Sequence, residues 1–211
     1  MLISRVRSRN MVLKIRQTGD LVLRLPARPL SPEEIVSEPV QGLIAAMMET
    51  MRDAPGVGLA APQVGYGLRL AVIEDTADYI ARLPPGQAAE RRRTPVPFHV
   101  IVNPEVTVEN SDQVQFFEGC LSVAGFTAIV PRALAVRIDC LNERGEPVSI
   151  RAEGWYARIL QHEIDHLNSH LYIDRMDPRS FMTLDAFNRY WRDLPTAAFL
   201  EALEEGQEGN G

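Results

Sequence analysis

Two histidines four residues apart flank a glutamate in His162-Glu163-Ile164-Asp165-His166. On a helix they project from one face. Two imidazoles so placed can grip a divalent metal, with the intervening carboxylate beside the water the metal holds. Trp155, Ile159, Leu160, Ile164 and Leu167 supply the apolar surface that a buried helix needs. The same five-residue pattern also occurs as an ordinary charged stretch of surface helix, so alone it divides about evenly between the two.

A third ligand is needed. The protease pattern H-E-x-x-H-x-x-G-x-x-H fails, because Ser169 holds the glycine position and Tyr172 the last histidine position. His170 lies four residues beyond His166. Three histidines at that spacing spread over about 12 Å of helix and do not converge on one ion, so His170 reads as a helix-end residue. Cys120, in Glu118-Gly119-Cys120-Leu121-Ser122, is the remaining candidate and is expected where a strand begins. A thiolate binds zinc or iron(II) strongly. The alternative is a small buried hydrophobe, which is the reading for Cys140.

A third segment, Gly56-Val57-Gly58-Leu59-Ala60-Ala61-Pro62-Gln63-Val64-Gly65, has two close glycines that let a ligand approach the backbone. It lacks the third glycine of a dinucleotide fingerprint and the Gly-Lys-Ser/Thr of a phosphate loop. It reads as a turn. Its Gln63 side chain can donate to an oxyanion.

The chain that must position these groups has 211 residues. It is long enough to bury one core without disulfides. A net charge of −6 excludes a general basic nucleic-acid binder. No apolar run is long enough to span a bilayer, and no secretory signal core is seen. Two cysteines exclude a disulfide scaffold and point to a reducing compartment. Residues 1–10 are expected to be a basic extension, 11–195 one domain, and 196–211 an acidic, frayed tail.

Ser31-Pro32-Glu33-Glu34 is a helix start with a capping box, and Pro39 interrupts or restarts the helix. Leu43, Ile44, Met47, Met48 and Met51 continue at helical spacing until Pro55-Gly56. Strands are expected over 68–73, 100–108, 133–141 and 148–152, with a hairpin turn at 142–145. The segment 76–97 reads as an inserted surface loop with a short helix near its start. Its Arg91-Arg92-Arg93 reads as a solvated charge run. Helices are expected over 155–167 and from Asp177-Pro178 onward, carrying Phe181, Leu184, Phe187, Trp191 and Leu194. Strands in the middle with helices at both flanks indicate an α+β fold.

Taken together, three segments resemble one family, the peptide deformylases. Gly56–Gln63 matches the family's G-x-G-L-A-A-x-Q, Glu118–Ser122 its E-G-C-L-S, and Gln161–Leu167 its Q-H-E-x-D-H-L. The resemblance covers about residues 11–176. Ser122-Val123-Ala124-Gly125-Phe126 and the insertion before Asn103-Pro104 look most like the organellar-type branch. Two departures stand out. Leu21 replaces the proline usual after Gly19-Asp20, and Ser169 replaces a glycine just after the metal helix, where it is expected to alter the turn.

The resemblance implies antiparallel β-sheets packed around a central metal-binding helix, with N-terminal and C-terminal helices. It implies a metal-dependent hydrolase that removes formate from N-formyl-methionyl nascent peptides near the ribosome. Cys120, His162 and His166 would be the ligands, and Glu163 the proton carrier. Gln63 and the Leu121 N–H would stabilise the oxyanion. The implied metal is iron(II), with zinc, nickel or cobalt able to occupy the site. Ile159, Phe126 and Ile129 are candidates for the methionine pocket, and Val57, Gly58 and Gly119 for strand-like pairing with the peptide. Glu118 and Arg132 would form a supporting ion pair, and Asp165 would be structural. A homodimer is allowed; DNA and membrane are not expected partners. The expected location is bacterial cytoplasm, with an organelle interior as the alternative. A general metalloprotease would leave Cys120 and Gln63 unexplained. A non-catalytic binding module would not require an intact Cys120, Glu163 and Gln63.

Overall fold

The computed structural model describes residues 11–208. The expected basic extension, 1–10, lies outside them. Ser31 caps α1 (Pro32–Ile35) with a full capping box, and the chain restarts as α2 (Glu38–Asp53) with Pro39 in its first turn. Strands β1 (Gly58–Ala60), β2 (Leu70–Asp75), β3 (Val96–Glu118), β4 (Phe126–Leu141) and β5 (Pro147–Glu153) pair antiparallel in chain order. Short helices α3 (Ala77–Ile80) and α4 (Gln87–Glu90) separate β2 from β3. Then follow the long helix α5 (Gly154–Leu167), a two-residue strand β6 (Met182–Thr183), α6 (Leu184–Tyr190) and α7 (Thr196–Glu208). The fold is α+β, as expected.

Strand β2 explains why the layers stack as they do. Its alternate residues Leu70 and Val72 join Leu43, Ile44, Met47 and Met51 of α2 on one face. Ala71 and Ile73 join Ile159, Leu160 and Ile164 of α5 on the other. Both faces are therefore apolar, and α5 lies in the core rather than on the surface. The methionine stripe is core, with Met47 and Met51 buried.

Strand β3 is far longer than its expected start and end. It spans 23 residues because it changes partner along its length: Val102 faces Leu70 of β2, whereas Phe117 faces Ile129 of β4. Register shifts near Asn103 and Asn110 let it bend. At the first, Asn103 has φ +50 and its side-chain amide exchanges two hydrogen bonds with the Leu30 backbone.

Several expectations are corrected. Cys120 follows the end of β3 instead of opening a strand. Gly58–Ala60, read as part of a turn, is a strand because it pairs with Ala71–Ile73. The last helices do not begin at Asp177. That residue caps one 3-10 turn, then β6 pairs with Phe126–Thr127 and Thr183 recaps α6. The expected acidic tail is helix α7, because Phe199 is buried against Phe117 and Trp191. Arg91-Arg92-Arg93 is a solvated run only at Arg92, which is exposed: Arg93 is buried in a bidentate pair with Asp75, and Arg91 stacks on Trp155.

Ser169 does not change the turn after α5. It adopts φ +64, and the His170 N–H closes back on the Asp165 carbonyl at 2.9 Å. A non-glycine residue in this left-handed region costs about 1 kcal/mol. Ser169→Gly is therefore expected to stabilise the chain by about 1 kcal/mol, raising the unfolding midpoint by roughly 2–4 °C in calorimetry. An unchanged or lower midpoint would show that the turn carries no strain.

Candidate metal centre

Helix α5 presents His162 and His166 to the loop that follows β3, where Cys120 waits. The Cys120 Sγ and one ring nitrogen from each histidine all lie within 4.8 Å of one another. Among the described residues this is the one group of three or more potential ligands so arranged. Ligand distances of ~2.0–2.3 Å span at most about 4.6 Å between two donors, so one ion would hold all three once the widest pair closes slightly. Cys120 Sγ lies 3.2 Å from His166 Nε2. The donor set, one thiolate and two imidazoles on a buried helix, fits a zinc-like or iron-like divalent cation. His170 is exposed beyond the helix end and takes no part.

The ligands are held by a buried charge network. His162 Nδ1 sits 2.9 Å from Glu118 Oε2. A carboxylate only accepts, so Nδ1 carries the proton and Nε2 keeps its lone pair for a cation. Glu118 accepts two bonds from Arg132 at 3.0 Å and one from Arg158 at 2.6 Å. Burial alone would raise the Glu118 carboxyl; the Arg132 charge and the bond to His162 override it and hold the group well below the usual carboxylate range. Asp165 points away from the ligands and ties Arg132 (2.5 Å) to Arg175 (2.7 Å), the structural role expected of it.

Glu163 is buried beside the three ligands, and its Oε2 has no hydrogen-bond partner. Burial pushes its carboxyl up to about 7. Gln63 is fixed on a 3-10 turn: its Oε1 accepts the Ala60 N–H at 2.8 Å, so its Nε2 must face Cys120 Sγ (3.4 Å) and Ser122 Oγ (3.3 Å). The Leu121 N–H donates to no group among the described residues, while its carbonyl accepts from Gln17.

Gly58 is where the first motif touches the third. A Cβ built there would stand 2.6 Å from Glu163 Cδ. Gly58→Ala is thus expected to push the Glu163 carboxylate aside. The expected result is an activity loss of roughly 10²-fold at unchanged metal content, since misplacement by ~1 Å costs about that much. Native-like turnover would show that the two groups can separate freely.

A cavity of about 680 Å³ opens onto these groups. Val57, Gly58, Gly119, Phe126 and Ile159 line it, as expected for substrate contacts. Ile129 does not. It is fully buried with Phe117 and Phe199 in the layer beneath, because its side of β4 faces α7. The sequence reading missed the outer wall, which comes from the 76–97 insertion and from α6. The run of three arginines was its only signal.

The family model for polypeptide deformylase matches residues 12–181. The chain belongs to the polypeptide deformylase family. It is 46% identical over 184 residues to the chloroplastic peptide deformylase 1A of Solanum lycopersicum, covering 87% of this chain and 65% of that one. It is 47% identical to peptide deformylase 3 of Streptomyces avermitilis, covering 85% and 78%. The chain thus spans just under two thirds of the length of the plant deformylases it matches. A Met-Ala-Ser-bound class I type b peptide deformylase from Acinetobacter baumannii superposes with a TM-score of 0.70 at 34% identity, over 79% of this chain and 99% of that one. No described helix of the chain is long and apolar enough to cross a membrane.

Proposed function

We propose that this chain is a metal-dependent deformylase that hydrolyses the formyl amide of N-formyl-methionyl nascent peptides, giving formate and a free N-terminal amine. The observation that carries this is the convergence of Cys120, His162 and His166 beside a buried carboxylate with a free oxygen. Iron(II) is the proposed metal; zinc, nickel and cobalt suit the same donors. A cation held there supplies Lewis acidity, drawing the pKa of a water toward neutrality and polarising the formyl oxygen.

The chain's own groups do the rest. Glu163 accepts a proton from the attacking water and hands it to the departing amine; burial raises its carboxyl, which favours holding the proton between the two transfers. Gln63 Nε2 and the Leu121 N–H donate to the oxygen of the tetrahedral centre, each donor worth about 3 kcal/mol. Glu118 positions His162. Gly58, at the start of edge strand β1, and Gly119 offer backbone to an extended peptide. Ile159 and Phe126 offer apolar surface to the methionine side chain. Bacterial cytoplasm is the proposed location; the relatives include chloroplast and mitochondrial proteins as well as bacterial ones.

The test is formate release from formyl-Met-Ala-Ser by anaerobically prepared, iron(II)- or nickel-loaded protein. Release that stops on chelation and returns on reloading is expected. Internal peptide-bond cleavage without formate would instead indicate a general protease.

A further inference from the structure

The cavity runs well past the metal ligands, and its far wall carries chemistry that formyl hydrolysis does not use. Five arginines line it, Arg82, Arg91, Arg93, Arg158 and Arg192, against two acids, Glu118 and Glu163. Arg93 is paired with Asp75, and Arg158 with Glu118. Glu118 is further engaged by Arg132 and His162. The side chains of Arg82, Arg91 and Arg192 form no hydrogen bond or ion pair among the described residues. The wall therefore presents net positive charge inside a concave, partly apolar space, where fields are focused.

Arg91 is the built part of this wall. Its guanidinium carbon lies 4.8 Å from the Trp155 ring centre and 5.9 Å from that of Phe116. Its carbonyl accepts the Trp155 N–H at 2.9 Å. Those contacts fix the guanidinium before any ligand arrives. Arg91 Nε and Trp155 Nε1 have no acceptor among the described residues but are shielded from solvent, so a ligand would meet Arg91 through its terminal guanidinium nitrogens. Burial, with Arg93 and Arg158 nearby, pulls Arg91 down to about 10, so it stays cationic at neutral pH. Glu90 is a nearby acid, and its carboxylate is engaged by the Thr196 N–H at 3.0 Å.

We propose that Arg91, supported by Arg82 and Arg192, forms an anion subsite that favours formyl-methionyl peptides with an acidic side chain a few residues downstream. The subsite rests on the deformylase reading. Its ligand is a carboxylate because every charged side chain of that wall is cationic, and its other polar side chains, Tyr79, Gln87 and Asn188, are neutral. The cavity volume of about 680 Å³ leaves room for it beyond one methionine side chain.

The test compares formyl-Met peptides carrying Glu or Gln at the second, third or fourth position. Formate release gives kcat/KM at low and high salt. Calorimetric binding of the matching unformylated peptides gives a second ratio that needs no turnover. The metal-loaded native chain is expected to favour Glu about tenfold at one position, mainly through KM. That preference should shrink at about 0.5 M salt. Arg91→Gln and Arg192→Gln should each reduce it. Ratios are taken within each variant, so reduced yield or stability cancels. A native ratio within about twofold at all three positions overturns the subsite, as does a preference that survives both substitutions. If no peptide releases formate, the proposed activity fails, and the binding ratio still decides the subsite.

Discussion

Glu163→Gln is expected to lower formate release by about 10³–10⁴-fold while leaving the metal in place. Glutamine keeps the shape of the side chain and removes the capacity to take a proton. General acid–base transfer is worth about 10²–10⁴, and here one group serves both halves of the reaction. The loss belongs in kcat, because nothing in the site assigns Glu163 to holding the peptide. Metal analysis is the control: Cys120, His162 and His166 do not depend on the Glu163 charge for their placement. A variant that binds metal fully and retains more than about a tenth of native kcat would remove Glu163 from the proton path and move attention to another base.

Glu118→Gln carries the largest expected effect on stability. The carboxylate stands among Arg132, Arg158 and His162, all of them buried or nearly so. Removing its charge leaves two guanidiniums confined, with only Asp165, two backbone carbonyls and one neutral amide oxygen to answer them. Breaking a buried pair in this way costs about 3–5 kcal/mol. For a chain of this size that lowers the unfolding midpoint by roughly 10 °C. His162 also faces a neutral amide in place of a carboxylate, which fixes its tautomer less firmly and is expected to weaken metal binding about 10- to 100-fold. Calorimetry and a metal competition assay read the two effects separately. Weakened metal binding without loss of stability would mean that the arginines find new partners.

The sequence made the reaction centre unusually legible, and the reasons are local. His162 and His166 are set by helical spacing alone. Gln63 and Cys120 were legible through the resemblance of three motifs in order; alone, the first lies in a segment that reads as a turn and the second reads equally as a small buried hydrophobe. Strand and helix types followed from hydrophobic period, so β2, β5 and α5 appeared within a few residues of their observed ends, while β4 was found only in its second half. What stayed hidden depends on partners distant in the chain. Met182 and Thr183 are strand only because Phe126 and Thr127 lie beside them. Thr196–Glu208 looked like a solvated acidic end because a single buried face, led by Phe199, anchors it. Ile129 looked like a pocket residue because alternation along β4 does not say which layer each side meets. Arg93 looked solvated because its partner Asp75 closes a gap of 18 residues.

The wall of the cavity is tied by two long clasps. Gln87 donates to the Arg192 carbonyl across 105 residues, and the Thr196 N–H donates to Glu90 across 106. Contacts of that separation form after the local ones, because the intervening chain must first be gathered. During its own synthesis, the molecule can therefore assemble the metal ligands, the last of which is His166, before it can close the far wall. That wall is thus completed only by the segment around Thr196, which leaves the ribosome after all three candidate ligands.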